Sequence, residues 1–457
     1  MASPALRPHP ARDLCLAPGR VDAPLAGAGR YGRLFPELAA LDADEALLHA
    51  LGTPGGACDG APLEAQGADD GHVAAGWPFF GQFVAHDLTA DRSPLAHHAD
   101  GAALRNARTP RVNLECVFGA GPVGMPYLYD RDDPAKLLLG PGGTDVPRNA
   151  QGVALLGDPR NDVHLFVNQL HTALLRVHNV LVDRLRADGV PEAGLADEAR
   201  RATTWHVQWV LLHDYLPTVA GDELALDVLA GGPCWYRPGA DPFVPLEFAD
   251  AAFRYGHSQI RHRYRINAAT EPLPMFPDLM GFGPIPPDLA LDCGLMFDLP
   301  GRPPAQRAKR IDGRLPASLI ALPQEITGDV DDPAYRSLAA RDLQRGQATG
   351  LPSGEAVARR MGATPLTREE VGLAEHGWEA ETPLWYYVLR EADVRGDGDR
   401  LGPVGGRIVA ETLVGVLDAD PGSLRNADPG WRPTLPAAEP GGFGIGDLLA
   451  AAEPAPV

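Results

Sequence analysis

The sequence predicts an all-α fold with long ordered loops and little β-structure, and three observations lead to this prediction. Apolar residues recur at helical spacing in several segments, whereas alternation at every second residue is weak throughout the chain. The 457 residues include 52 glycines and 46 prolines, which interrupt regular elements and indicate many loops. Hydrophobic residues form 45% of the chain, which is enough for a large core.

Each predicted helix rests on apolar residues that return every three or four positions. The clearest is 163–185, where Leu165, Leu170, Leu174 and Val177 belong to one broad apolar face. In chain order, the predicted helices cover residues 79–88, 163–185, 197–216, 245–263, 335–345, 353–361, 382–395, 403–416 and 445–451.

These helices fall mostly within one predicted domain. Residues 1–30 are rich in Ala, Pro, Gly and Arg and are predicted to form an N-terminal arm. The domain then covers residues 31–435, and residues 436–457 form a C-terminal tail. We find no internal repeat in the sequence.

Composition and charge exclude several classes of function. Forty basic against sixty acidic side chains give a formal charge of −20, which argues against nucleic acid and anionic membranes as partners. No run of about 18 apolar residues occurs, so no transmembrane segment is expected. The five cysteines are scattered without a CxxC motif, which argues against a zinc ribbon or a disulfide scaffold. The first fifteen residues lack the apolar region of a signal peptide, so we expect a cytoplasmic protein.

Three short segments carry polar residues that core packing alone does not require. In GQFVAHDLT, Gln82 and His86 are four residues apart and share one helical face. GDPRND places Arg160 just before the longest predicted helix, and FRYGHSQI places His257 inside an apolar helix. Each residue alone also has a structural explanation, as a buried histidine or as one half of an ion pair.

Taken together, six segments resemble animal-type haem peroxidases of the peroxidase–cyclooxygenase superfamily, and their bacterial members most closely. They are GQFVAHDLT, RTPRVNLECVFG, GDPRND with LHTALLRVHN, QWVLLHDYLP, FRYGHSQI and LAARDLQRGQATGLPSG, in the order found in that family. The resemblance runs from about Trp77 to Arg360. It implies a mainly helical haem peroxidase fold and a haem cofactor.

The resemblance also implies roles for the polar residues. His86 takes the place of the distal histidine, with Gln82 one turn earlier and Arg160 as the catalytic arginine, and His257 takes the place of the iron ligand. A neutral imidazole at position 86 can move a proton between the two oxygens of H2O2. The guanidinium of Arg160 can stabilise charge that develops as the O–O bond breaks.

On the proximal side, the chain departs from the family. An Asn commonly hydrogen-bonds the iron-ligating histidine there, and LAARDLQRG places Asp342 at that position. A carboxylate would give His257 more imidazolate character and lower the iron potential. The alternatives are an alignment displaced by one residue, or an Asp342 paired with an arginine. Arg345 and Arg254 match arginines near the haem propionates and the proximal helix, although either can be a structural ion pair.

A calcium site is implied as well. The family uses the Asp after the distal histidine together with a loop of oxygen donors. These donors correspond here to Asp87, Thr109, the carbonyl of Arg111, Asn113 and Glu115. Oxygen donors of this kind suit Ca2+. The alternative is that the loop folds without a metal ion.

Two further departures concern the cofactor. Mammalian members esterify haem through an Asp before the distal histidine and a Glu three residues after the catalytic arginine, where this chain has Ala85 and Val163. His164 stands where myeloperoxidase uses a methionine for a sulfonium link. We therefore expect non-covalent haem b. We interpret His171 and His178, seven residues apart on one helix, as structural.

The leading hypothesis is a haem peroxidase that reduces H2O2 through a ferryl intermediate while oxidising small phenolic, aromatic or halide donors. A second hypothesis is a haem oxygenase, dioxygenase or coupling enzyme acting on a lipid or secondary metabolite. The dioxygenase branch needs a radical Tyr three residues before the iron ligand. That position holds Arg254, with Tyr255 one residue later, which disfavours that reaction. A third hypothesis is a haem-binding protein or helical scaffold without turnover.

Overall fold

Ten α-helices of eight residues or more are present in the part of the chain that the structure, a computed structural model, describes. That part comprises residues 29–60, 70–90, 104–330 and 332–453, so the predicted N-terminal arm lies almost entirely outside it. The helices are α1 (Glu45–Gly52), α2 (Trp77–Leu88), α3 (Leu165–Ala187), α4 (Glu192–Val210), α5 (Asp222–Gly231), α6 (Leu338–Ala348), α7 (Gly354–Met361), α8 (Leu384–Gly396), α9 (Pro403–Asp418) and α10 (Ile445–Ala452). The predicted mainly helical fold is confirmed.

Short helical pieces connect these helices. Single α-turns cover Glu115–Phe118, Gly121–Gly124, Leu216–Ala220, Leu246–Ala249, Ala317–Ile320, Gln324–Thr327, Arg368–Val371 and Leu424–Ala427. Shorter 3-10 helices cover Pro126–Leu128, Pro141–Gly143, Pro159–Asp162, Ala252–His257, Pro287–Leu289, Cys293–Leu295, Pro333–Arg336 and Ala374–His376. No helix within the described ranges is both long and apolar enough to cross a membrane.

Among the described residues, β-structure consists of short strands in one three-stranded and two two-stranded sheets. The strands are β1 (Gly29–Gly32), β2 (Asp70–Ala74), β3 (Arg105–Asn106), β4 (Phe243–Pro245), β5 (Arg263–Tyr264), β6 (Leu273–Pro274) and β7 (Arg307–Lys309). β1 lies between an antiparallel β3 and a parallel β4, while β2 pairs with β7 and β5 with β6 in antiparallel ribbons.

Most predicted helices are confirmed, and their starts shift to residues that can cap them. α3 begins at Leu165 because the side chain of His164 accepts the backbone N–H of Val167. α6 begins at Leu338 because the hydroxyl of Ser337 accepts the N–H of Ala340. α4 begins earlier than predicted and continues through a π-helical turn, Leu211–Tyr215.

The predicted helix over residues 245–263 is wrong. The segment contains β4, one α-turn and the 3-10 helix Ala252–His257, and the chain leaves helical geometry at Ala251 (φ −137°, ψ −81°). A ring contact and an ion pair stabilise this interruption of the helix. Phe248 and Phe253 stack on each other with ring centroids 4.3 Å apart. The carboxylate of Asp250, just before the break, is paired with Arg345.

Helices α3 and α4 pack against each other, and α10 packs on α3 as part of the same core. Side chains of α4 also hold the C-terminal segment. The Nε2 of His206, which is fully buried, accepts the backbone N–H groups of Thr434 and Leu435, at 3.0 and 3.2 Å. In the described part of the predicted tail, the indole N–H of Trp209 on α4 donates to the carbonyl of Phe443 at 3.2 Å, so α3 and α4 both attach this segment to the domain.

Burial of neutral histidines makes the fold sensitive to acid. His206 donates from Nδ1 to the carbonyl of Ala202, so its Nε2 must stay unprotonated to accept two N–H groups. Burial lowers the pKa of His206 to about 4, and burial likewise lowers the pKa of His171 to about 3 and of His178 to about 4. An unfolded histidine titrates near 6.5, so unfolding takes up protons between these values and stability is lost as pH falls below about 6.5.

We therefore expect His206→Gln to reduce the pH dependence of stability. A glutamine does not titrate, and its side-chain oxygen still accepts. Between pH 6 and 4.5, the slope of the unfolding free energy against pH should therefore be smaller than in the unsubstituted chain, by about 1.4 kcal/mol per pH unit. Urea unfolding at several pH values measures this slope. Parallel pH profiles for the two proteins would contradict the assignment.

Candidate functional site

Helix α2 carries His86 on its buried face, and one hydrogen bond fixes the state of the ring. The Nδ1 of His86 lies 2.8 Å from the Oδ1 of Asn161, an atom that can only accept, so Nδ1 carries the proton. The amide nitrogen of the same Asn161 donates to the Nδ1 of His171, 3.0 Å away. This second bond defines which end of the amide faces His86.

The consequence is a neutral imidazole with an available lone pair. Burial, followed by the charge of Arg160, lowers the pKa of His86 to about 3, so the ring is neutral at pH 7. Because Nδ1 is protonated, Nε2 is the unprotonated nitrogen. Nε2 of His86 has no hydrogen-bond partner among the described residues. The ring can therefore accept a proton from a molecule placed beside it.

Arg160 lies in the 3-10 helix that precedes α3, as the sequence predicted, and its guanidinium reaches the end of α2. Its guanidinium donates to the main-chain carbonyls of His86 and Thr89, at 2.9 and 2.6 Å. Asp158 orients it through both carboxylate oxygens and also binds Arg108. Burial raises the pKa of Asp158, but Arg160 and Arg108 outweigh burial and hold it well below its usual range.

Gln82 is brought to the same side of α2 as His86, and its partner is His164. The Oε1 of Gln82 lies 2.8 Å from the Nε2 of His164, which is 5% exposed. The structure thus gathers Gln82, His86 and Arg160 around the second half of α2. We call these three residues, together with His164, the distal cluster.

His257 ends the 3-10 helix Ala252–His257, and a carboxylate holds it. Its Nδ1 lies 2.6 Å from the Oδ2 of Asp342 on α6, and the Oδ1 of Asp342 accepts from Arg254 at 3.1 Å. Both contacts considered from the sequence are therefore present. Burial raises the pKa of Asp342, but the neighbouring His257 and Arg254 together lower it below its usual value. Asp342 is a carboxylate that accepts from two donors.

Arg345 lies one turn further along α6 and is paired with Asp250. Its Nε is 2.5 Å from the Oδ1 of Asp250, whose other oxygen, Oδ2, is buried without a hydrogen-bond partner in the described chain. The side chains of Arg345 and Arg254 remain 22% and 28% accessible. An anionic group bound nearby would share Arg345 with Asp250.

The distal and proximal segments are joined directly at one end of α2. Pro78 lies 3.5 Å from the point where a Cβ on Gly256 would be, and Gly256 precedes His257. His86 follows Pro78 by eight residues, about 12 Å along a helix axis. The hydroxyl of Tyr215 bonds that of Tyr255 at 2.9 Å and lies 2.5 Å from the Cβ position of Gly81. Backbone and tyrosine contacts therefore connect the two segments.

The residues present fit a haem. An iron ligand must be an imidazole with a free lone pair, and the Nε2 of His257 has no partner in the described residues. The side chain of His257 is 28% accessible, although its partner Asp342 is 1% exposed. Two accessible arginines, Arg254 and Arg345, border the same segment and suit the carboxylates of a haem.

Tyr255 lies one residue after the position that the dioxygenase branch uses, and it is paired with another tyrosine. It is almost completely buried, its hydroxyl is bonded to Tyr215, and burial raises its pKa well above the usual value. Arg254, at the position the dioxygenase branch needs for a tyrosine, points to Asp342.

The predicted calcium residues are brought together, but their arrangement only partly fits a metal ion. Asp87 accepts three backbone N–H groups, from Asn113, Leu114 and Cys116, at 3.0, 2.8 and 3.1 Å. The side chains of Thr109, Asn113 and Glu115 hydrogen-bond to each other or to the neighbouring main chain. Arg111 contacts Asp420 at the loop surface. Among the described residues, no group of three His, Cys, Asp or Glu side chains could hold a metal ion.

Three contributors were missed or misjudged from the sequence. Asn161 and Asp158 lie on either side of Arg160 in GDPRND, and the many polar residues of this segment are the signal that could have identified them as site residues. His164 was considered only as the residue that replaces a methionine. The interpretation of His171 and His178 as structural stays a prediction. His171 accepts from Asn161, and His178 donates to the carbonyl of Ala135.

Comparison with known proteins agrees with this geometry. The animal haem peroxidase family model matches residues 125–371. Drosophila melanogaster peroxidasin is 24% identical over 301 residues, which cover 60% of this chain and 19% of that protein. Human thyroid peroxidase is 32% identical over 164 residues, which cover 35% of this chain and 17% of that protein. The chain thus spans less than a fifth of the length of either relative.

Solved structures show the same fold at low identity. Peroxidase A from Dictyostelium discoideum aligns over 89% of this chain and 90% of its own, with a TM-score of 0.61 and 14% identity. Fatty acid α-dioxygenase from Arabidopsis thaliana aligns over 84% of this chain and 71% of its own, with a TM-score of 0.59 and 14% identity. Because the family model covers more than half of the residues, this chain belongs to the animal haem peroxidase family.

Proposed function

We propose that this protein is a haem peroxidase that reduces H2O2 and oxidises small phenolic, aromatic or halide donors. One observation carries the proposal: His86 and His257 are each held through Nδ1, and each leaves Nε2 without a protein partner. A protein that only stored haem would not need a neutral base, an arginine and an amide gathered around one end of α2. Within the family, the motifs favour a place among the bacterial members.

Family membership implies haem, and we propose that His257 binds its iron and that haem b is held non-covalently. Alanine and valine at positions 85 and 163 have no carboxyl group with which to form an ester. When bound, the haem supplies the redox chemistry that splits peroxide and oxidises the donor. Arg345 and Arg254 are available to its carboxylates.

The distal cluster supplies proton transfer and orientation. His86 takes a proton at Nε2 from one peroxide oxygen and returns it to the other, which can then leave as water. Asn161 keeps the ring in the tautomer that this step needs. Arg160 stays protonated and supplies positive charge at the end of α2, while Asp158 prevents its guanidinium from turning away.

An oxygenase or dioxygenase is the alternative, and the fold shared with plant fatty acid α-dioxygenases supports considering it. The tyrosine geometry favours the peroxidase. Tyr255 bonds Tyr215, and Arg254 bonds Asp342, so neither residue of the proximal segment presents a phenol at the position the dioxygenase branch uses. Product analysis with O2 and no peroxide separates the two activities.

Replacing the proposed base tests the function directly. His86→Ala should retain haem, because His257 and not His86 binds it. The spectral change that H2O2 causes in the bound haem should slow by roughly 10²- to 10⁴-fold, the usual contribution of a positioned acid–base group. Stopped-flow absorbance measures the rate, and His213→Ala is the matched control, because the ring of His213 contacts Trp209 at a centroid distance of 4.1 Å. An unchanged rate would remove His86 from the mechanism.

The carboxylate beneath the proposed iron ligand should set the iron potential. Asp342→Asn keeps the shape but removes the charge, and a charge-assisted hydrogen bond is about 1 kcal/mol stronger than a neutral one. We therefore expect the Fe(III)/Fe(II) potential to rise by roughly 40 to 60 mV in a spectroelectrochemical titration. Asp298→Asn, which removes the negative charge that pairs with Arg307 on β7, is the control. Equal potentials would refute the role of Asp342.

We also propose a calcium ion bound by Asp87, Thr109, the carbonyl of Arg111, Asn113 and Glu115. The oxygen-bearing side chains support this proposal, and the three N–H groups on Asp87 oppose it. Metal analysis should find one calcium per chain, and Asp87→Asn should lose it while the exposed control Asp278→Asn retains it. Purified protein without calcium, whose thermal midpoint does not respond to added calcium, would show that the loop folds without metal.

A further inference from the structure

The two nitrogens of His164 have different partners, and these partners define its protonation. Nδ1 accepts the backbone N–H of Val167 at 3.4 Å, which caps the N-terminus of α3. A nitrogen that accepts carries no proton, so in the neutral ring the proton is on Nε2. Nε2 faces the Oε1 of Gln82 at 2.8 Å. The hydrogen bond therefore runs from His164 to Gln82.

We propose that His164 is a positioning residue that fixes the amide of Gln82 as a hydrogen-bond donor in the distal cluster. An amide side chain can present either its oxygen or its NH2 group, and His164 occupies the oxygen. The NH2 group of Gln82 has no partner among the described residues, so it is available to a ligand. This inference rests on the proposed function, because the ligand it concerns binds beside His86.

This orientation of Gln82 gives the distal cluster both a hydrogen-bond acceptor and a hydrogen-bond donor. His86 offers an unprotonated nitrogen, which accepts, while Gln82 offers N–H groups, which donate. Arg160 adds positive charge at the end of the same helix. The cluster is therefore built for a ligand with an electron-rich atom that accepts from Gln82, such as a peroxide oxygen or a small anion. A Gln82 turned the other way would repel such an atom.

The backbone that carries His164 is held on both sides, so its ring has little freedom to move. Leu165 donates its N–H to the carbonyl of Leu279, and the N–H groups of Gly281 and Phe282 donate to the carbonyls of Val163 and Asp162, at 2.8 to 3.0 Å. Phe282 adopts a positive φ of 61°, which is unusual for a bulky residue. A side chain at Gly281 would collide with the carbonyl of Asp162.

Two substitutions separate the two functions of the ring. His164→Asn retains an acceptor suited to the N-terminus of α3 but is too short to donate to Gln82. His164→Gln retains an N–H group near the position of Nε2 but is a poor cap. If His164 were merely structural, the binding of ligands would follow stability in both variants. If it positions Gln82, ligand binding and stability should not change in parallel in the two variants.

Fluoride is the probe, because it binds ferric haem iron and accepts hydrogen bonds. In the haem-containing protein, His164→Asn should raise the dissociation constant of fluoride roughly 3- to 10-fold, the loss of one oriented neutral hydrogen bond. Its thermal midpoint should fall only by the packing that the smaller side chain loses against Phe79 and Phe166. His164→Gln should bind fluoride like the unsubstituted protein, while its midpoint falls by on the order of one to two degrees.

A double-mutant cycle shows that the effect passes through Gln82. In a Gln82→Leu background, His164→Asn should have no further effect on fluoride binding, because no amide remains to be oriented. Equal fluoride affinities in the unsubstituted protein and His164→Asn, or an undiminished effect in the Gln82→Leu background, would overturn the inference and leave the proposed function intact. A chain that takes up no haem would overturn both.

Discussion

Each of the two central imidazoles is fixed through Nδ1, and the difference between the two fixing groups defines what each ring can do. An amide oxygen holds His86, and a carboxylate holds His257. The amide fixes a tautomer without adding charge, which suits a ring that must take up and release a proton. The carboxylate adds negative charge, which suits a ring that donates electron density to a metal. His86 and His257 thus differ in the group that accepts from Nδ1, which is an amide oxygen in one case and a carboxylate in the other.

Each of the three buried carboxylates in this site is paired with at least one arginine. Asp158 binds Arg160 and Arg108, Asp342 binds Arg254, and Asp250 binds Arg345. All three acids are nearly inaccessible, and an unpaired carboxylate so deeply buried would be costly. The arginines offset part of that cost. This explains how a chain with a net charge of −20 keeps positive charge at its centre.

The sequence predicted the helical class, most of the long helices and the segments that meet at the site. It failed over residues 245–263, where apolar periodicity continued through a break that only the stacking of Phe248 on Phe253 and the ion pair of Asp250 explain. It identified Gln82, His86, Arg160 and His257 through their motifs. It did not identify Asn161 or the role of His164, because the direction of a hydrogen bond depends on a partner distant in the chain.

Tyr215 has a further consequence for anyone redesigning this pocket. Its hydroxyl lies where a side chain on residue 81 would have to be and also bonds Tyr255, two residues before His257. A larger residue at position 81 would displace a phenol that contacts the segment carrying His257. Any redesign of α2 should therefore keep this glycine.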